Sequence, residues 1–134
     1  MNKSYKVLVV EDEGLIALDI SNRLEALGHQ VVATVGDSAE ALLKAPEADI
    51  VLMDIRIDGP VDGIETAAQI REKFHIPVIF LTANSLLGDK VRGLEMGGSD
   101  YVTKPFKPEE LRARVRASLR IRSKSPAVSR HSLS

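Results

Sequence analysis

The 134-residue sequence contains no cysteine and no tryptophan, and only 4% of its residues are aromatic. Without cysteine there can be no disulfide scaffold, no thiolate metal ligand and no cysteine nucleophile. No apolar run approaches the roughly 20 residues of a membrane-spanning helix. The net charge of -1 predicts no general electrostatic attraction to nucleic acid or to a membrane surface. We therefore expect a soluble, cytoplasmic protein with a local binding surface.

Short apolar runs alternate with segments of helical spacing along the chain. The runs at 7–10 and 50–53 are apolar at successive positions, as expected for strands of a parallel sheet covered by helices on both faces. Strand-like runs begin near Lys6, Gln30, Ile50, Pro77 and Tyr101. The pattern predicts one α/β domain built from repeated βα units.

Helical periodicity predicts the connections between these strands. The first helix should place one apolar stripe against the sheet and end at Gly28, its stripe being Leu15, Ile16, Ile20, Leu24 and Leu27. A second helix should start at Asp37–Ser38 and a third should run over 63–73 with Ile64, Ala67, Ala68 and Ile70 inward. Each of these segments is long enough to cross from one parallel strand to the next.

The remaining segments differ in helical strength. The segment 86–96 contains two glycines, each costing about 0.5–1 kcal/mol relative to alanine, so we expect a marginal fourth helix. The last helix should begin after Pro108 and bury Leu111, Val115 and Leu119. Residues 123–134 have no periodicity and indicate a flexible tail or truncated linker after a domain spanning 1–122.

Polar residues follow the apolar runs. Glu11 and Asp12 follow the first, Asp54 the third, Thr82 the fourth and Lys104 the fifth. Because the carboxyl ends of parallel strands meet at one edge of a sheet, we expect these residues to lie close together. Close carboxylates raise each other's pKa unless a cation neutralises them, and oxygen ligands favour Mg²⁺ or Mn²⁺.

Asp54 could then act as a nucleophile toward phosphorus and form an acyl phosphate. Lys104 would screen charge and the Thr82 hydroxyl would donate to a phosphoryl oxygen, beside the small Ala83. Purely structural alternatives remain. Asp54 could cap the turn between its strand and the next helix, and the acidic residues 11–13 could form a solvated helix N-terminus. None of the histidines has metal-ligand spacing, and a surface position is expected for His29, His75 and His131.

In this order and spacing, the fragments resemble the receiver domain of the two-component response-regulator family over about 6–122. The matching segments are 7–13, 51–54, 62–63, 81–83 and 98–106. The resemblance implies a flavodoxin-like fold, in which a doubly wound, five-stranded parallel sheet has the strand order 2-1-3-4-5. It also implies a signalling switch rather than an enzyme, since a receiver catalyses only its own phosphorylation and dephosphorylation.

The resemblance assigns a role to each residue of the site. Asp54 would accept the phosphoryl group from a sensor histidine kinase or a histidine phosphotransfer protein. Glu11 and Asp12, with Asp54 and the backbone carbonyl of Arg56, would hold Mg²⁺. Asp62 and Gly63 would shape the loop that leads away from Asp54.

Further roles implied by the resemblance concern the switch. Thr82 and Lys104 would contact the phosphoryl group, with Pro105 shaping the loop after the lysine. Tyr101 would move inward as Thr82 is drawn toward phosphate. The kinase would dock on the first helix, and the output face, which allows a homodimer, would combine the fourth helix, fifth strand and fifth helix.

Two features depart from the family pattern. The interval from Asp54 to Asp62 is one residue longer than usual, which predicts a bulged loop beside the site. Arg56 and Asn84 occupy positions that tune the lifetime of the acyl phosphate in this family. We expect the bulk and charge of Arg56 to alter dephosphorylation.

Three other classes compete with the receiver. A phosphatase of the haloacid-dehalogenase type needs a second aspartate two residues after the nucleophile, where this sequence has Arg56. A receiver-like module that only binds proteins would be indicated by loss of an acidic, threonine or lysine position, and none is lost. A flavin carrier would need a phosphate loop rich in Gly, Ser and Thr after the first strand, which is absent.

Overall fold

The computed structural model describes residues 4–55, 57, 59, 61–83, 100–104, 107 and 109–119. In chain order the elements are β1 Lys6–Val10, α1 Gly14–Ala26, β2 Gln30–Val35, α2 Ser38–Lys44, a 3-10 turn Ala45–Glu47, β3 Ile50–Asp54, α3 Gly63–Phe74, β4 Val78–Ala83 and β5 Asp100–Lys104. Residues 109–119 are also helical. The predicted fourth helix at 86–96 and the tail at 123–134 lie outside the described residues.

The five strands form one parallel sheet with the order β2-β1-β3-β4-β5. This confirms the doubly wound order implied by the resemblance. The chain moves from β1 outward to β2, then crosses back to β3 and continues in the other direction. The topological switch point, where open α/β sheets bind ligands, therefore lies between β1 and β3.

Apolar side chains fill both faces of the sheet. Along β1, Val7 and Val9 belong to the core under α1 and the helix at 109–119, whereas Leu8 and Val10 belong to the core under α2 and α3. All four are fully buried. Successive side chains of a strand point to opposite faces, so a continuous apolar run satisfies two cores at once.

The predicted buried stripe of α1 is wrong at its first residue. The helix buries Ala17, Ile20 and Leu24, while Leu15 is 84% exposed and Leu18 is 56% exposed. At 3.6 residues per turn, Leu15 lies about 160° around the helix from Ala17, on the opposite side. Ile16 and Leu27 are half-buried at the border.

The helix at 109–119 buries Leu111, Val115 and Leu119, as the periodicity predicts. The helix α3 likewise buries Ile64, Ala67 and Ile70 and leaves Ala68 half-buried. No helix in the described segments has the length and apolar character needed to cross a membrane.

The expected surface position of His29 is wrong. His29 is only 9% exposed, its ring packs against Tyr5, and its Nδ1 atom accepts a hydrogen bond of 3.3 Å from the Tyr5 backbone N–H. Burial lowers the pKa of His29, and the positive charges of Arg112 and Arg116 lower it further. His75 is exposed as expected, and His131 lies outside the described residues.

Candidate functional site

Three carboxylates meet at the switch point of the sheet. Val10, the last residue of β1, pairs with Met53, so Glu11 and Asp12 leave β1 beside Asp54 at the end of β3. One carboxylate oxygen from each of Glu11, Asp12 and Asp54 lies within 4.8 Å of the others. The structure thus brings together the acidic residues that the strand ends predict.

The three carboxylates differ in burial. Glu11 is 3% exposed and Asp54 is 8% exposed, whereas Asp12 is open to solvent. Glu11 is held in place from two sides, because its N–H donates to the Val35 carbonyl at 2.9 Å and its Oε2 accepts from the Glu13 N–H at 3.2 Å. The cluster therefore combines two buried carboxylates with one that is exposed to solvent.

This donor set is suited to a hard divalent cation. It offers only carboxylate oxygens, with neither imidazole nor thiolate in the cluster. Taking two carboxylates out of water is costly unless their charge is compensated. Mg²⁺ and Mn²⁺ prefer such oxygen ligands, and Mg²⁺ needs only one or two carboxylates from the protein.

The loop after β3 is closed at its base by close backbone packing. The Gly63 N–H donates to the Ile55 carbonyl at 2.9 Å. A β-carbon at Gly63 would overlap the Asp54 carbonyl oxygen and come within 2.8 Å of the Ile55 carbonyl oxygen. Asp62 caps α3 by accepting from the Glu65 N–H at 2.9 Å. Glycine at 63 thus allows α3 to begin directly against the strand that carries Asp54.

The ends of β4 and β5 lie at the same edge of the sheet. Asp54 pairs with Leu81, and the next residue, Thr82, pairs with Thr103 of β5. The Lys104 backbone pairs with Ala83. The side chains of Thr82 and Lys104, like the residues Arg56, Asn84 and Pro105, are outside the described part of the chain.

Tyr101 lies on β5 beside the core under α2 and α3. Its side chain is half-buried and packs against that core, and its backbone pairs with Phe80. The position suits both a switch aromatic and an ordinary strand tyrosine.

The contact between two residues near the site was not predicted from the sequence. Gly59, in the loop after β3, has a φ of +117°, and a β-carbon there would overlap the Ser38 hydroxyl at the start of α2. The pair Gly59–Pro60 is a turn signal in the sequence. Its partner Ser38 is distant in sequence, so no local pattern reveals the contact.

The sheet order and the acidic cluster define a flavodoxin-like α/β domain with a carboxylate site at its switch point. The family model described as response regulator receiver domain matches residues 7–116. The chain belongs to the response regulator receiver domain family.

Solved structures of receiver domains are similar to this chain over nearly their whole length. The signal receiver domain of a modulated diguanylate cyclase from Desulfovibrio desulfuricans G20 is 30% identical, with 90% of this chain and 98% of that chain covered and a TM-score of 0.83. The receiver domain of the sensor histidine kinase PA1611 from Pseudomonas aeruginosa PAO1 is 34% identical, with coverages of 87% and 98% and a TM-score of 0.77. That structure has a magnesium ion coordinated in its active site cleft.

A third structure shows the receiver fold as part of a longer chain. NtrX from Brucella abortus is 25% identical, with 95% of this chain but only 29% of that chain covered and a TM-score of 0.86. Similar receiver domains therefore occur in proteins of different kinds, and the family alone does not determine the output.

Proposed function

We propose that the protein is a phosphorylation-driven signalling switch in which Asp54 takes a phosphoryl group from a histidine of a sensor kinase or phosphotransfer protein. The observation that carries the proposal is the position of Asp54, within 4.8 Å of the carboxylates of Glu11 and Asp12 at the carboxyl edge of the sheet. Membership of the receiver family supports it.

In the transfer step, a carboxylate oxygen of Asp54 forms a bond to phosphorus while the bond from phosphorus to the donor imidazole nitrogen breaks. The imidazole nitrogen keeps the electron pair of that bond and takes up a proton, and the product is an acyl phosphate. Burial of Asp54 restricts the motion of its carboxylate, which would lower the entropic cost of attack.

We assign the cation site to Glu11, Asp12 and Asp54, with the backbone carbonyl of Arg56 as a further oxygen ligand. Mg²⁺, or Mn²⁺ in its place, would neutralise charge on the carboxylates and the phosphoryl oxygens. Such an ion usually uses few protein ligands and keeps places for water and phosphate.

Thr82 and Lys104 complete the phosphoryl site in this proposal. Both lie at the ends of neighbouring strands on the edge that carries Asp54. A hydroxyl and an ammonium group can donate hydrogen bonds to the added phosphoryl oxygens. Tyr101, packed at the border of the core, would follow Thr82 inward and alter the output face.

The lifetime of the acyl phosphate is assigned to Arg56 and Asn84, on the ground of family resemblance alone. Apart from its own phosphorylation and dephosphorylation, we propose no enzymatic activity. A cytoplasmic location belongs to the same proposal, because the ATP that feeds a histidine kinase is cytoplasmic. An output partner of unknown identity, or a second copy of the chain, would read the switched face.

The docking surface for the kinase or phosphotransfer protein is assigned to α1. Its first turns expose the side chains of Leu15 and Leu18, and the helix begins directly after the acidic pair. Exposed leucines beside a reactive site offer the apolar contact that a transient protein partner needs.

Phosphorylation by a small donor tests this proposal. The protein is incubated with Mg²⁺ and acetyl phosphate, and its intact mass is measured. We expect wild type to gain one phosphoryl group and Asp54→Asn to gain none. Asp49→Asn is a matched control at the opposite end of β3, where Asp49 accepts a hydrogen bond of 2.8 Å from the Lys6 N–H.

The control should be phosphorylated like wild type, and removal of Mg²⁺ by EDTA should abolish the gain in both. A gain that persists in Asp54→Asn contradicts the assignment of the phosphoacceptor. No gain in wild type would favour a receiver-like module that only binds proteins.

A further inference from the structure

We propose that Gly59 and Ser38 form a positioning contact that sets the affinity of the acidic cluster for a divalent cation. The contact joins the loop after β3 to the first residue of α2, next to the turn that follows β2. The inference rests on the proposed function, since it concerns the cation site that this function requires.

Residue 59 fits against Ser38 only because it is glycine. A β-carbon there would overlap Ser38 Oγ, lie 2.8 Å from the Ser38 backbone nitrogen and lie 3.2 Å from Ser38 Cβ. Rotation of the Ser38 hydroxyl would relieve the overlap with Oγ. It would not relieve the close approach to the backbone nitrogen, because that atom cannot move without the start of the helix. The φ of +117° at Gly59 independently favours glycine.

Ser38 serves this contact by its small size and not by hydrogen bonding. It is 1% exposed, and its hydroxyl has no hydrogen-bond partner among the described residues. It is not the cap of α2, because Asp37 fills that role by accepting from the Glu40 N–H at 2.8 Å. A buried hydroxyl without a partner costs stability, so packing against Gly59 is the role left to this side chain.

The turn between β2 and α2, which directly precedes Ser38, touches the acidic pair. The Val35 carbonyl at the end of β2 accepts the hydrogen bond from the Glu11 N–H, at 2.9 Å. A β-carbon at Gly36 would lie 3.5 Å from Asp12 Cα, which shows how closely the two backbones pass. Displacement of the turn would therefore be transmitted to Glu11 and Asp12.

The other end of the same loop is fixed to the phosphoacceptor strand. Gly63 packs against the carbonyl groups of Asp54 and Ile55. Gly63 thus packs against β3, while Gly59 packs against the residue that follows the turn supporting the acidic pair. The contact at Gly59 therefore links the segment that follows Asp54 to the segment that supports Glu11 and Asp12. Its loss would let the spacing of the three carboxylates change.

The test is a Mg²⁺ titration of the unphosphorylated protein, followed by the amide NMR shifts of Glu11, Asp12 and Asp54. We expect Gly59→Ala to weaken Mg²⁺ binding about tenfold or more, the usual effect of losing a group that orients metal ligands. The matched control is Gly28→Ala. Gly28 also has a positive φ, of +93°, but a β-carbon there meets nothing within 4 Å.

A second pair of variants leaves both glycines intact. Ser38→Thr adds a methyl group on the other side of the contact and should also weaken Mg²⁺ binding. Ser21→Thr is its control, because the Ser21 hydroxyl is likewise buried without a partner but lies on α1. Urea unfolding of all four variants shows whether each one is folded under the titration conditions.

Unchanged Mg²⁺ affinity in both Ser38→Thr and folded Gly59→Ala overturns this inference. The inference is also overturned if either variant loses no more Mg²⁺ affinity than its own control. If Gly59→Ala does not fold, the outcome for Ser38→Thr decides. Wild type that binds no divalent cation contradicts the proposed function as well. Wild type that binds Mg²⁺ and becomes phosphorylated, with variants that bind it equally well, contradicts the positioning contact alone.

Discussion

The substitution Gly63→Ala should destabilise the protein because it forces a β-carbon into the backbone of the phosphoacceptor strand. The new carbon would overlap the Asp54 carbonyl oxygen, and would lie 2.8 Å from the Ile55 carbonyl oxygen and 2.9 Å from Ile55 Cα. All three atoms belong to the main chain, so no side-chain rotation can make room. Either α3 moves away from β3 or the end of β3 bends.

The expected cost follows from these contacts. Overpacking a buried site costs about 1–3 kcal/mol, and an obstacle made of backbone atoms places this substitution near the upper end. Alanine also reduces the entropy of the unfolded chain, which returns about 0.4–1 kcal/mol. The free energy of unfolding should therefore fall by about 2 kcal/mol, which lowers Tm by roughly 8 °C for a domain of this size.

The assay is urea unfolding followed by far-UV circular dichroism, with Gly14→Ala as the matched control. Gly14 and Gly63 are each the first residue of a helix. A β-carbon at Gly14 meets nothing within 4 Å, so alanine there should be neutral or should stabilise the protein by up to about 1 kcal/mol. If the two variants differ by less than about 0.5 kcal/mol, the close packing of α3 on β3 is not what requires glycine.

Three further results are expected. Asp62→Ala removes the carboxylate that accepts from the Glu65 N–H and should cost about 1 kcal/mol in urea unfolding, and an unchanged midpoint would show that this cap contributes nothing. The pKa of His29 is lowered in the folded state. As pH falls through the ordinary pKa of 6.5, His29 therefore takes up a proton in the unfolded chain before it does so in the folded protein. Stability should therefore decline from pH 7.5 to 5.5 more in wild type than in His29→Gln, and equal declines would contradict it. The double substitution Leu15→Ser with Leu18→Ser should slow phosphorylation by a histidine donor but not by acetyl phosphate, and equal slowing of both would argue against docking on α1.

The sheet and the acidic site could be predicted from the sequence because both depend on local patterns. An apolar run such as Ile50–Met53 marks a buried parallel strand, and the polar residue that follows it must lie at the carboxyl edge. The sequence alone therefore places Glu11, Asp12 and Asp54 together. Burial of Glu11 was not predictable, since an acidic run after a strand usually indicates a solvated helix start.

The errors arise where tertiary packing decides. Leu15 looks like part of an apolar stripe, but the sheet contacts the side of α1 that carries Ala17, and leucine faces solvent instead. His29 has a polar side chain, yet its ring packs against that of Tyr5, the residue that directly precedes β1. The contact of Gly59 with Ser38 was not predicted, because it joins two segments that are far apart in sequence and that only the assembled sheet brings together.

The central claim is that the Asp54 carboxylate is the phosphoacceptor, and the most direct measurement is the position of the phosphoryl group itself. Wild type is phosphorylated with Mg²⁺ and acetyl phosphate, the acyl phosphate is trapped by borohydride reduction, and the digested peptides are sequenced by tandem mass spectrometry. We predict that the reduced residue is found at position 54 alone. Modification at Asp12, Glu11 or any other residue, with position 54 unmodified, would contradict the account.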